Sequence, residues 1–72
     1  MIRLSKERLE LGLSQAALAR KAELNSSTVS CIEREKMKPW PGQASKIEAA
    51  MKEAGWNGEG DLFEEVDDEQ TT

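Results

Sequence analysis

Asn25, Ser26, Ser27 and Thr28 stand side by side in the stretch "NSSTVSCIERE", and Ser30 and Cys31 follow one turn later. Small amide and hydroxyl groups of this kind do two sorts of chemistry. They cap a helix by accepting from its free backbone N–H groups, or they meet a phosphate oxygen or a base edge. Catalysis fits worse. The chain has no histidine and one cysteine, so Cys31 has no imidazole to take its proton, and no nucleophile–base pair can be assembled. Cys31 reads as a plain thiol on a polar face. The acids Glu64, Glu65, Asp67 and Asp68 lie in a terminal stretch almost free of hydrophobes, which is expected to be disordered and so unable to preorganise a site. The sequence therefore predicts no enzyme, no catalytic residues, no metal and no cofactor.

The elements that would position these groups follow from apolar spacing and caps. A first helix is expected over about 5–11, with Ser5 as its cap, Leu9 facing inward, and Gly12 at the left-handed position after it. A second is expected over 15–22 behind Ser14, with Leu18, Ala19 and Ala22 inward. Glu23–Leu24–Asn25 makes the turn, with Leu24 pointing back into the core. A third helix over 26–33 is capped by Asn25 or Ser26, with Val29 and Ile32 inward and Ser27, Ser30, Cys31 and Arg34 on the opposite, polar side. Pro39 and Pro41 bracket Trp40, so residues 34–42 are expected to cross as a turn or extended segment. A fourth helix fits 43–54 on the stripe Ala44, Ile47, Ala50, Met51 and Ala54. Gly55 stops it and Trp56 folds back. A short fifth turn would carry Leu62 and Phe63 into the core. The expected architecture is all-α, a four- to five-helix bundle over 1–63 with an acidic tail over 64–72.

Length and charge narrow the class. A chain of 72 residues makes one small domain. One cysteine rules out an intrachain disulfide. Met1–Leu4 is too short and too quickly charged for a signal peptide, and no apolar stretch could span a bilayer, so a cytoplasmic protein without membrane contact is expected. Ten basic residues against fourteen acidic give a net charge of −4, which argues against a polyanion as partner. The distribution argues otherwise. Residues 1–38 hold eight bases and five acids, 8 − 5 = +3, while residues 39–72 hold two bases and nine acids, 2 − 9 = −7. One half is mildly basic, and it contains the serine-rich helix.

The stretch "LELGLSQAALARKAELNSSTVSCIEREKMKP", Leu9 to Pro39, resembles the helix-turn-helix domain of phage-repressor-like (Cro and lambda-repressor-like) transcriptional regulators. The resemblance rests on "GLSQ" opening the second helix, "LA" at Leu18–Ala19, the serine-rich start of the third, and "VSCIERE" followed by "KMKP". It extends more loosely over residues 3–63. It implies a five-helix domain that binds operator DNA without a cofactor, with helix 26–33 entering the major groove, commonly as a two-fold homodimer. It implies base contacts from Ser26, Ser27 and Cys31. Contacts to the DNA backbone would come from Gln15, Asn25, Ser30, Arg20, Lys21, Arg34, Lys36 and Lys38. Glu33 would be structural, closing the third helix against the second or the loop. Where the turn often carries glycine this chain has Glu23, a strained choice if the backbone is left-handed. The competing reading is an antitoxin, anti-repressor or adaptor that keeps the fold and binds protein instead.

Overall fold

Four helices form among the described residues, three of them begun by local signals and the first by backbone from a distant segment. The computed structural model describes residues 1–66, and in it the helices are α1 (Arg3–Glu10), α2 (Gln15–Ala22), α3 (Ser26–Glu33) and α4 (Pro41–Ala54). Helix α2 packs against both α3 and α4. Between them lies the core: Leu4, Leu18, Val29, Ile32, Ile47, Met51 and Leu62 are all fully buried.

Helix α1 starts two residues earlier than the spacing predicts, and Ser5 does not cap it. Ser5 lies buried inside the first turn, and the flanking residue is Ile2, whose side chain cannot accept a hydrogen bond. The free donors at this end are met by backbone from the other end of the chain. The Arg3 N–H donates to Glu64 O at 2.9 Å and the Leu4 N–H to Leu62 O at 2.7 Å. A helix start buried in this way needs such partners. The Val66 N–H then bonds Met1 O at 2.9 Å, and Ile2 pairs with Glu65 in an antiparallel bridge. The first three residues of the expected disordered tail are therefore tied down. Positions 67–72, including Asp67 and Asp68, lie outside the described residues.

Leu9 also departs from expectation, being 58% exposed. The inward stripe of α1 is Leu4, Arg8 and Leu11, at spacings of four and three, with Leu4 and Arg8 buried and Leu11 packed against the core. Arg8 takes the inward place expected of Leu9.

Helix α2 begins as predicted, with Ser14 Oγ accepting from the Ala17 N–H at 3.0 Å. Helix α4 begins earlier than predicted. Pro41 and Gly42 belong to its first turn, because proline at the first helical position lacks only an N–H that would have no partner there anyway. The Gln43 side chain accepts from the Trp40 N–H at 3.1 Å, which seals the start. The stop is as expected: Gly55 has φ 121°, and the Trp56 N–H reaches back to Met51 O at 2.9 Å. Trp56 is buried, although its indole N–H has no partner among the described residues. No fifth helix follows among the described residues. The residues after Trp56 run as turns that place Leu62 in the core and Phe63 half-buried against it. Among the described residues no helix is long and apolar enough to cross a membrane.

Candidate nucleic-acid interface

The corner between α2 and α3 is made by one residue in an unusual conformation. Glu23 adopts φ 61° and ψ 42°, the left-handed region that costs an ordinary side chain roughly 1–2 kcal/mol. In return its N–H bonds Arg20 O at 3.2 Å, and the Leu24 N–H bonds Ala19 O at 2.8 Å. Two free carbonyls of α2 are thereby satisfied, and the chain turns at once into Asn25. Leu24 is half-buried against the core, as its position predicts.

Helix α3 then divides into an outward and an inward side. Val29, Ile32 and Glu33 are buried. Asn25, Ser26 and Ser27 are exposed, and Thr28, Ser30 and Cys31 are half-buried. The cap expected from Asn25 or Ser26 does not form. Asn25 occupies the capping position but its side chain makes no cap bond, and Ser26 is already the first helical residue. The start of α3 is held by backbone alone, through Thr28 N–H and Val29 N–H to Asn25 O at 3.0 and 3.2 Å. The side chains of Asn25, Ser26 and Ser27 are left with all their hydrogen-bonding capacity facing solvent.

The far end of α3 is built the opposite way. Arg8 Nε donates to Glu33 Oε2 at 2.7 Å and Arg8 Nη2 to Glu33 Oε1 at 3.0 Å, a bidentate pair with both side chains about nine-tenths or more buried. The remaining arginine nitrogen, Nη1, donates to Leu13 O at 2.7 Å and holds the loop between α1 and α2. Gln15 Nε2 donates to Glu33 Oε1 at 3.0 Å. Glu33 is structural, as expected, but its main partner is Arg8 of α1. Arg8 is not among the site residues that the sequence predicts. A signal was present: a charged residue on the buried stripe of one helix requires an acid on the buried stripe of another, and Glu33 follows Val29 and Ile32 on such a stripe.

Gln15 stands at the first position of α2. Neither its own N–H nor that of Ala16 has a partner among the described residues, so two backbone donors and the side-chain amide lie together at a helix N-terminus. Arg20, Arg34, Lys36 and Lys38 are exposed and make no ion pair among the described residues. Lys21 is different. It reaches Glu53 of α4 at 3.3 Å, an exposed pair worth little and easily exchanged.

The loop after α3 contains a second strained residue. Glu35 has φ 63° and sits among Arg34, Lys36 and Lys38. The neighbouring Glu65 carboxyl, with some desolvation, holds the Glu35 pKa above the ordinary carboxylate value. Glu65 is held below its ordinary value, first by the N-terminal ammonium 2.9 Å away and then by Glu35. Among the described residues no cluster of three or more acids, histidines or cysteines could hold a metal ion.

Neither a curated protein nor a solved structure matches the chain. A family model described as helix-turn-helix matches residues 4–54, from the start of α1 to the end of α4. That span contains the corner at Glu23, the outward side of α3 and the Arg8–Glu33–Gln15 cluster. It covers well over half of the chain, in a family that binds and does not catalyse. The protein belongs to the Cro/XRE-type helix-turn-helix family and is a DNA-binding protein of transcriptional regulation.

Proposed function

We propose that the protein is a small transcriptional regulator, acting as a repressor, that binds a specific double-stranded operator by inserting α3 into the major groove. The observation that carries this reading is the outward head of α3. Asn25, Ser26 and Ser27 are exposed, and their polar side chains make no hydrogen bond within the described residues. Capping would have occupied them, and it does not.

In this reading Ser26, Ser27 and Cys31 reach base edges. Short hydroxyls discriminate less sharply than a bidentate glutamine or arginine, so part of the specificity comes from DNA shape. Asn25, Ser30, Arg34, Lys36 and Lys38 follow one phosphate strand. Arg20, and Lys21 once released from Glu53, meet another. Gln15 and the free N–H groups of α2 take a phosphate where α2 crosses the backbone. The described body measures 33 × 26 × 20 Å. Two copies related by a two-fold axis would reach half-sites one helical turn, about 34 Å, apart.

Selection from a randomised duplex library, followed by affinity measured across salt, tests this. An enriched, near-palindromic sequence is expected, with affinity falling as salt rises, because neutralised phosphates release counterions. No enrichment together with no salt dependence would transfer the function to protein binding.

A further inference from the structure

We infer that Glu33, itself held by Arg8, is a positioning residue for DNA binding: it fixes the Gln15 side-chain amide in the single orientation that aims a donor at the phosphate. The inference rests on the reading of Gln15 as a phosphate contact.

A glutamine amide has two faces of opposite chemistry. Its nitrogen donates and its oxygen accepts, and turning it over exchanges them. A phosphate oxygen only accepts. An unrestrained glutamine at the start of α2 would present the wrong atom for part of the time, and freezing it on binding would cost side-chain entropy. Glu33 removes that ambiguity. An ionised carboxylate accepts and cannot donate, so the atom 3.0 Å from Glu33 Oε1 must be Gln15 Nε2. One N–H of that amide is directed at Glu33. The other has no partner among the described residues, and neither do the backbone N–H groups of Gln15 and Ala16.

The carboxylate is in turn immobile. Arg8 Nη2 donates to the same Oε1 at 3.0 Å and Arg8 Nε to Oε2 at 2.7 Å. Arg8 Nη1 is anchored on Leu13 O at 2.7 Å, just before α2 begins. Arginine, carboxylate and amide form one continuous chain of charge-assisted bonds from α1 through α3 to the N-terminus of α2. Glu33 also keeps the buried guanidinium compensated, and Gln15 is the only member with a side chain half-open to solvent. The pair does more than join α1 to α3. It sets the direction of a donor at the head of α2, without itself touching DNA.

A cycle of Gln15→Ala, Glu33→Gln and the double variant tests this, with affinity measured for specific and scrambled duplex and thermal melting followed alongside. Glu33→Gln keeps the shape of the side chain but offers Gln15 an amide of its own, so the Gln15 amide is released. About a fivefold loss of affinity for both duplexes is expected, the equivalent of one ordinary hydrogen bond. In the Gln15→Ala background the same change should cost no further affinity. An equal loss in both backgrounds would overturn the inference and leave Glu33 a purely structural residue. Because Glu33→Gln weakens a buried ion pair and can unfold a small domain, a second measurement uses the unaltered protein without DNA. The two Gln15 side-chain N–H protons should be widely separated in chemical shift, with one protected from exchange. A pair of ordinary, solvent-exchanging amide protons would overturn the inference as well. If the unaltered protein bound no duplex, the DNA reading would fall, while the amide protons would still decide whether Glu33 pins Gln15.

Discussion

The two ends of α3 lie eight residues apart and follow opposite rules. At Glu33 every acceptor is engaged, by Arg8 and Gln15, and the side chain is buried. At Asn25–Ser27 the polar side chains are exposed and bonded to nothing within the described residues. A recognition helix needs both conditions. The clamped end fixes where the helix points, and the open end keeps its hydrogen-bonding groups for a partner. The residue types alone suggest the reverse, because serines at a helix start usually cap and glutamates are usually solvated.

The largest effect on this contrast should come from the clamped end. Arg8→Ala leaves Glu33 buried without its cation, and the expected loss of stability is about 3–5 kcal/mol. Thermal or urea unfolding will measure it. Ser26→Ala, at the open end, should change stability by less than about 0.5 kcal/mol, as for a surface substitution away from any cap. Ser14→Ala provides the calibration. It removes a real cap bond at the head of α2 and should lose about 1 kcal/mol. A Ser26→Ala loss as large as that of Ser14→Ala would show that the head of α3 is capped after all.

Two smaller effects concern the strained residues flanking α3. Glu23→Gly should raise stability by a few tenths to about 1 kcal/mol, because glycine adopts the left-handed backbone without penalty. An unchanged or lower melting temperature would mean that the Glu23 side chain contributes more than its strain costs. Glu65→Gln removes the main cause of the raised Glu35 pKa, so the Glu35 carboxyl should move down toward its ordinary value. A carbon-detected NMR titration reads this directly. The sign matters for acid stability. A raised carboxyl pKa destabilises the charged form in the folded state, and this is relieved as pH falls through that pKa. The lowered Glu65 pKa contributes stability above its ordinary value that is lost as pH falls through the folded pKa. The two contributions oppose each other.

Much of the corner was legible in the sequence. The limits of α2 and α3 follow from Ser14, from the break at Glu23–Leu24–Asn25 and from the inward residues Leu18, Ala22, Val29 and Ile32. These are local signals, each complete within one helical turn. What escaped depended on distant segments. Ser5 looks like a cap because its type is right, but backbone from Leu62 and Glu64 satisfies the start of α1 instead. Leu9 looks like core because leucine usually is, but Arg8 occupies the inward stripe to meet Glu33 from another helix. Pro41 reads as a break, yet it opens α4. The positive φ of Glu35 has no local marker, since glycine is absent there. On the candidate interface, Ser27 and Arg34 are exposed as their side of α3 predicts, Ser30 and Cys31 on that side are half-buried, and Asn25, Ser26, Arg20, Lys36 and Lys38 are exposed, whereas the engagement of Gln15 by Glu33 and of Lys21 by Glu53 required the fold.

In the proposed function, the open end of α3 reads bases while the N-terminus of α2 only positions the protein. Ser27→Ala, with affinity measured against the selected operator and a scrambled duplex, tests it most directly, with Gln15→Ala run beside it. Gln15→Ala should weaken both duplexes by a similar factor. Ser27→Ala should lose roughly 1 kcal/mol on the operator, near the low end for a base-specific contact, and almost nothing on the scrambled duplex. An equal loss on both duplexes for Ser27→Ala would contradict the account and reduce the serines of α3 to phosphate donors.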